Sequence, residues 1–283
     1  MTTTKTFRGN LPPLFASTAS AEVVPGNPVA RSRMRIARGR TLYGIGDPLR
    51  GLYVVHVGVL KSCAISSDGL QQVVAFPMAG DVLGLDALST GTHQGEVVAL
   101  EDAELYLLPV AQCECWSLGS AYAQRLLLRT MAHEIVRGQQ HAVMLGTMRA
   151  EQRVAIFLLD LSQRYCHLGY SRSHFVLRMS RHDIGSYLGL KLETVSRALS
   201  RSQQEGILQA RGKTIALLDF PALWRLSGLS PESQSVPPDP IVDNGGCLVS
   251  AAMAEAAVAQ SHARVAAARR AHRSAHDALV QVA

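Results

Sequence analysis

Apolar and polar positions change their period along this chain. From Arg40 to Pro109, short runs rich in Val, Leu and Tyr (Leu52–Val55, Val57–Ala64, Gln72–Phe76, Glu104–Leu108) alternate with turn residues such as Gly46-Asp47-Pro48, Ser67-Asp68-Gly69 and Gly80-Asp81. Strand runs punctuated by glycine turns predict a β barrel or roll, with Asp68-Gly69 as a hairpin turn. From Ala121 to Met148 the period becomes helical. Leu128, Met131, Ile135, Gly138, Ala142 and Leu145 recur at spacings of three and four, a heptad seam. A helix of about 27 residues spans roughly 40 Å, and its stripe needs a cover. Parallel pairing with a second copy supplies one. Packing along the chain's own β domain is the alternative.

Residues 149–228 carry a third pattern. Glu151–Arg164 is amphipathic, with Val154, Phe157, Leu158 and Leu161 on one face, and a short strand is expected at Phe175-Val-Leu-Arg. Ser180 is an N-cap whose partner three residues on, Asp183, completes a capping box. The helix from Arg181 puts Ile184, Tyr187 and Leu188 inward and stops at Gly189. A second helix follows Leu190-Lys191-Leu192, with Val195, Ala198 and Leu199 inward. Two short helices around a glycine turn have helix-turn-helix spacing. After Gly206 a β-hairpin turns at Arg211-Gly212-Lys213, a basic wing.

The termini are of another kind. The first thirty residues are rich in Pro, Ser, Thr and Ala and lack periodicity, and residues 31–40 hold five arginines. A flexible leader is expected over 1–36. The sequence after Ser230 is a proline-rich linker and an alanine-rich extension, helical by propensity. The expected boundaries are therefore leader 1–36, β domain 37–118, dimerisation helix 119–148, helix-turn-helix domain 149–228 and extension 229–283.

Composition narrows the classes. Hydrophobic residues at 47% support a sizeable core, and a net charge of +6 leans modestly towards a polyanionic partner. No apolar run reaches the roughly 18 residues of a membrane span, and the N-terminus lacks a signal-peptide core. Cysteines at 63, 113, 115, 166 and 247 are odd in number and without framework spacing, which suits a cytoplasmic protein. No metal-ligand spacing, phosphate loop, H-E-x-x-H or G-x-S-x-G is present, so no catalytic or metal residues are assigned. Asp81 and Asp86 are expected to form turns.

Glu193, Ser196 and Arg197 share one face of the second helix. Such a helix enters the major groove with its N-terminal residues towards base edges. Arg197 can donate two parallel bonds to guanine, Glu193 can accept from cytosine, and Ser196 can bond a base or meet a thymine methyl. The alternative is a solvated face with an i,i+4 ion pair, Glu193 to Arg197. Ser180, Arg181, Lys191, Arg211 and Lys213 are candidates for backbone phosphate contacts. A competing function, a small-ligand module acting on a protein partner, leaves the helix-turn-helix unexplained.

These residues resemble the Crp/Fnr family of bacterial transcription regulators over about 40–228. LYGIGDPLRGLYVVHVGVLKS, VVAFPMAGDVLGLDAL, MAHEIVRGQQ and above all SRHDIGSYLGLKLETVSRALSRSQQEGIL carry the resemblance, which is strongest to the Fnr branch. It implies an α+β chain: a cyclic-nucleotide-binding-like β-roll, a long dimerisation helix and a C-terminal winged helix-turn-helix. It implies a homodimer on double-stranded DNA at a palindrome close to TTGAT-N4-ATCAA, read by Glu193, Ser196 and Arg197. It also implies RNA polymerase as a partner, touched by the loop Ser66-Ser67-Asp68-Gly69.

The departures concern the signal. Iron–sulfur members of the Fnr branch hold their cluster with N-terminal cysteines and one inside the β domain. Residues 1–40 have none, the internal position corresponds to Tyr106, and Cys113-x-Cys115 offers only two thiolates, so no cluster is expected. Cyclic-AMP-binding members carry a Gly-Glu pair and an Arg-Ser for the phosphate. Here the run is Gly84-Leu-Asp-Ala-Leu, then Gly91-Thr-His-Gln-Gly-Glu, with no arginine for a bidentate grip, so cyclic AMP is not expected either. Some relatives bind haem or sense thiol oxidation; His56, His93 and Cys63 would be the residues recruited, but each alone is more often a structural residue.

Overall fold

The computed structural model describes residues 32–66, 68–109 and 121–229. Its N-terminal part is a roll of two four-stranded sheets. One has the order β1 (Ser32–Ile36), β8 (Ala103–Pro109), β3 (Gly51–Val57), β6 (Val82–Leu83). The other runs β2 (Thr41–Tyr43), β7 (Gly95–Ala99), β4 (Leu60–Ile65), β5 (Gln71–Ala75). All pairings are antiparallel. Ile36, Tyr53, Val55, Leu60, Val97 and Leu105 are buried between the sheets.

The roll begins at Ser32, inside the stretch assigned to the leader, because Ser32–Ile36 pairs along its whole length with β8. The polar edge of β1 is held by Glu104, which takes ion pairs from both Arg33 and Arg35. The Val57–Ala64 run is not one strand. β3 ends at Val57, and Gly58 turns the chain with φ of 102° where a Cβ would lie 2.7 Å from the Cβ of Ala103, so only glycine passes.

Beyond the roll, α1 (Ala121–Thr147) and α2 (Ala150–His167) are followed by β9 (His174–Val176), α3 (Arg181–Leu188), α4 (Leu192–Gln204), a hairpin of β10 (Leu208–Arg211) and β11 (Thr214–Leu217), and α5 (Phe220–Ser227). The three strands form a small sheet, β10-β11-β9. α2 is the hub. Val154, Ala155, Ile156, Phe157, Leu158, Leu159 and Leu161 are all buried, a wider face than the four residues expected. α5 lay outside the sequence expectation although Asp219-Phe-Pro221 is a helix start, with the Asp219 carboxylate accepting from the Ala222 amide.

The roll is tied to these helices within the chain. Buried Arg164 on α2 donates to the Phe76 carbonyl at 3.0 Å and pairs with buried Asp81. Asp81 therefore does more than form a turn: it also accepts from the Met78 amide at 2.9 Å, and Arg137 of α1 approaches it at 3.8 Å. Nearby, desolvation pushes the Asp160 carboxyl up to about 6, against the pull of Arg164 and Arg137. On α3, Asp183 pairs with Lys61 of β4 at 3.0 Å and the Ser186 hydroxyl accepts from the Val73 amide at 2.9 Å.

Candidate nucleic-acid interface

The helix pair is built as its sequence implies. The Ser180 hydroxyl accepts from the Asp183 amide at 3.0 Å, and the Asp183 carboxylate accepts from the Ser180 amide at 2.9 Å. Burial pushes the Asp183 carboxyl up, but the bonds from Ser180 and the Lys61 ammonium outweigh it and hold it below the usual carboxylate range. Gly189 closes α3 in the left-handed conformation, φ 61°. Gly185 makes the crossing possible: a Cβ there would lie 2.7 Å from the Leu190 carbonyl oxygen. Ile184 and Leu188 on α3 and Val195, Ala198 and Leu199 on α4 are buried, while Tyr187 is half-buried against Phe76 and Phe157.

This packing leaves the other side of α4 outward. Glu193 and Arg197 are exposed and Ser196 is half-exposed. Among the described residues, no ion pair joins Glu193 to Arg197, and neither side chain has a hydrogen-bond partner. Lys191 is the N-cap of α4 and its side chain makes no capping bond, so it is exposed beside helix-end amides able to take an anion. Arg211 and Lys213 are exposed on either side of Gly212, although Lys213 Nζ also donates to the Arg178 carbonyl at 3.3 Å. Ser180 is exposed, and Arg181 is half-exposed in the first turn of α3.

A groove runs along α4 to the start of α2, lined by Glu151, Thr194, Ser196, Arg197, Arg201 and Glu205 among others. Sequence reading missed its acidic wall. Arg201 is held by Glu205 at 2.9 Å and approached by Glu151 at 3.8 Å, so its charge is partly spent inside the protein. The i,i+4 spacing of Arg201 and Glu205 was a visible signal; Glu151 comes from a distant helix and was not.

The expected seam residues share one stripe of α1, most of it facing outward. Leu128 is 64% exposed and Ile135 60%; Gly138 and Ala142 are also exposed. Met131 is half-buried. Leu145 departs from the expectation by packing on its own chain, where its Cδ2 meets the Gly189 turn. The opposite face of α1 turns inward through Thr130, Gln140 and Met144, which are buried.

In the roll, the Gly84–Glu96 stretch is held by its own side chains, except that buried Nε2 of His93 has no hydrogen-bond partner among the described residues. Leu85–Ala87 is a 3-10 turn, and Asp86 accepts from the Gln94 amide at 2.9 Å and lies 3.3 Å from Nδ1 of His93. His93 is 1% exposed and stacks on Tyr43 at 3.6 Å. His56 faces Tyr106, ring centroids 5.0 Å apart. Cys63 is buried in β4, where desolvation pushes its thiol up, and Cys166 is exposed at the far end of α2. Cys113, Cys115 and Cys247 lie outside the described residues, as do Ser67 and the terminal extensions. Among the described residues, no three His, Cys, Asp or Glu side chains gather as a metal site. No described helix is long and apolar enough to cross a membrane.

Residues 33–127 match the cyclic nucleotide-binding domain family, and residues 152–226 match the Crp-like helix-turn-helix domain. The chain is 42% identical to the transcriptional regulatory protein btr of Bordetella pertussis over 73% of this chain and 86% of that one. It is 38% identical to the fumarate and nitrate reduction regulatory protein of Vibrio cholerae, over 70% and 80% of the two chains. The solved structure of FixK2 from Bradyrhizobium japonicum superposes with a TM-score of 0.65 at 33% identity, covering 71% of this chain and 98% of that one.

Proposed function

From the premise that this chain belongs to the Crp/Fnr family of DNA-binding transcription regulators, we propose that it works in the cytoplasm as a homodimer on a palindromic site close to TTGAT-N4-ATCAA. The observation that carries this reading is the outward face of α4, where Glu193, Ser196 and Arg197 stand together without partners among the described residues. An exposed guanidinium and an exposed carboxylate that are not spent on each other remain available as donor and acceptor, which is what base-edge readout requires. Lys191, Arg211, Lys213, Ser180 and Arg181 flank that face and take phosphates, which set register without reading sequence. Leu128, Ile135, Gly138 and Ala142 meet the second copy, with Met131 at the edge of that stripe. RNA polymerase is the partner through which bound protein acts, by way of the Ser66–Gly69 hairpin tip.

The signal is neither an iron–sulfur cluster nor cyclic AMP in this reading. Tyr106 in the cluster's cysteine position, and Asp86 tied to Gln94 and His93 where a nucleotide phosphate would need an arginine, both support that.

Gel shifts at fixed salt test the readout. Arg197→Ala loses about 1–3 kcal/mol at the palindrome and relaxes preference at one base pair per half-site. An unchanged preferred sequence would remove Arg197 from the readout. Lys213→Ala weakens every sequence alike and lowers the slope of log K against log salt by about one; a loss confined to the palindrome would assign it to bases instead.

A further inference from the structure

Arg153 lies in the first turn of α2, and its guanidinium is shared among three backbone carbonyls. Nη2 donates to Leu145 O at 2.7 Å, Nε to Met148 O at 2.9 Å and Nη1 to Leu188 O at 2.9 Å. Leu145 belongs to the last turn of α1, Met148 follows that helix directly, and Leu188 ends α3. These are carbonyls that a helix end leaves without internal partners. One side chain therefore closes the end of the seam helix and the end of the first helix-turn-helix helix together. Its planar fork and fixed charge suit two negative helix ends at once.

A second side chain makes the same joint from the other side. His141 of α1 stacks on Tyr187 of α3 at 4.3 Å and 12°, with Nε2 2.7 Å from Tyr187 O. Burial holds its imidazole below the usual range, so the neutral ring donates from Nε2. The last two carbonyls of α3 are thus held by side chains from α1 and α2. Gly189 leaves no slack at the centre: a Cβ there would lie 3.2 Å from Leu145 Cδ2 and 3.4 Å from Arg153 Nη1.

We propose that Arg153 is the positioning residue that sets half-site spacing. It fixes the angle at which the helix-turn-helix leaves the seam helix, and so the separation of the two recognition helices in the dimer. This rests on the palindrome reading above. Arg153 does not read bases: its donors are committed to carbonyls of its own chain. It determines which spacer lets both copies bind at once, because a second binding event gains only when its geometry matches the site.

The test compares palindromes with the natural spacer, one base pair shorter and one longer, together with a single half-site. Wild type, Arg153→Lys and Arg153→Gln are measured, with thermal unfolding as a control. Wild type prefers one spacer by about tenfold or more. Arg153→Gln flattens that preference, while half-site affinity and base preference stay as in wild type. Arg153→Lys, keeping the charge but not the fork, falls between. If Arg153→Gln does not fold, Arg153→Lys decides by the same criterion. A variant that keeps the wild-type preferred spacer with the wild-type degree of preference, whatever its absolute affinity, overturns the assignment. A wild-type protein that binds palindromes no better than half-sites instead removes the homodimer reading, and this inference with it.

Discussion

Leu128→Glu combined with Ile135→Glu gives a folded monomer whose affinity for the palindrome is lower by roughly two to four orders of magnitude, the contribution of linking two binding events. Both side chains are mostly exposed on the single chain, so the carboxylates meet water there and the chain's own fold is undisturbed. In a parallel seam each glutamate would face its counterpart in an apolar interface, where an unpaired buried charge is far costlier than lost packing. The inward face of α1, with Thr130, Gln140, Met144 and the Arg137–Glu134 pair, is untouched. Light scattering reports the mass and a gel shift the affinity. A dimer of undiminished mass would show that the copies meet through another surface, and would leave the exposed stripe without a role.

Arg164→Met destabilises the protein by about 3–5 kcal/mol, the usual cost of stripping one partner from a buried ion pair. Asp81 would keep only the Met78 amide and the more distant Arg137, at 3.8 Å, and the Phe76 carbonyl would lose its donor. The penalty comes from the carboxylate left behind more than from the lost attraction. The double variant Asp81→Leu/Arg164→Met therefore recovers much of the loss, since replacing a buried pair by apolar groups is often near neutral. Urea unfolding of the three proteins measures this. A single variant as stable as wild type would mean that water or Arg137 already satisfies Asp81.

The helix-turn-helix was legible because its determinants are local. Ser180 with Asp183 three residues later, Gly189 at the stop, and the inward spacing of Val195, Ala198 and Leu199 each act within one or two turns. The outward position of Glu193, Ser196 and Arg197 follows from that spacing alone. The roll was legible as a class but not strand by strand. β1 was hidden because its arginines resemble a solvated leader until β8 supplies Glu104 to pair with them. Gly58 divides a continuous apolar run because Ala103, from a strand far along the chain, stands where a side chain would be.

Local patterns alone were enough for the helices from α1 to α4, the cap and turn residues of the helix-turn-helix and the face of α4 that stays free, because hydrogen-bonding chemistry and hydrophobic period at short range decide them. Tertiary structure alone decided what joins those elements. Lys61 meets Asp183, Arg164 meets Asp81, and Arg153 gathers carbonyls from two helix ends. An arginine or lysine in a sequence is a charge without an address. Its partner is chosen by which distant carboxylate or unpaired carbonyl the packed core brings within about 3 Å, and no local period encodes that choice.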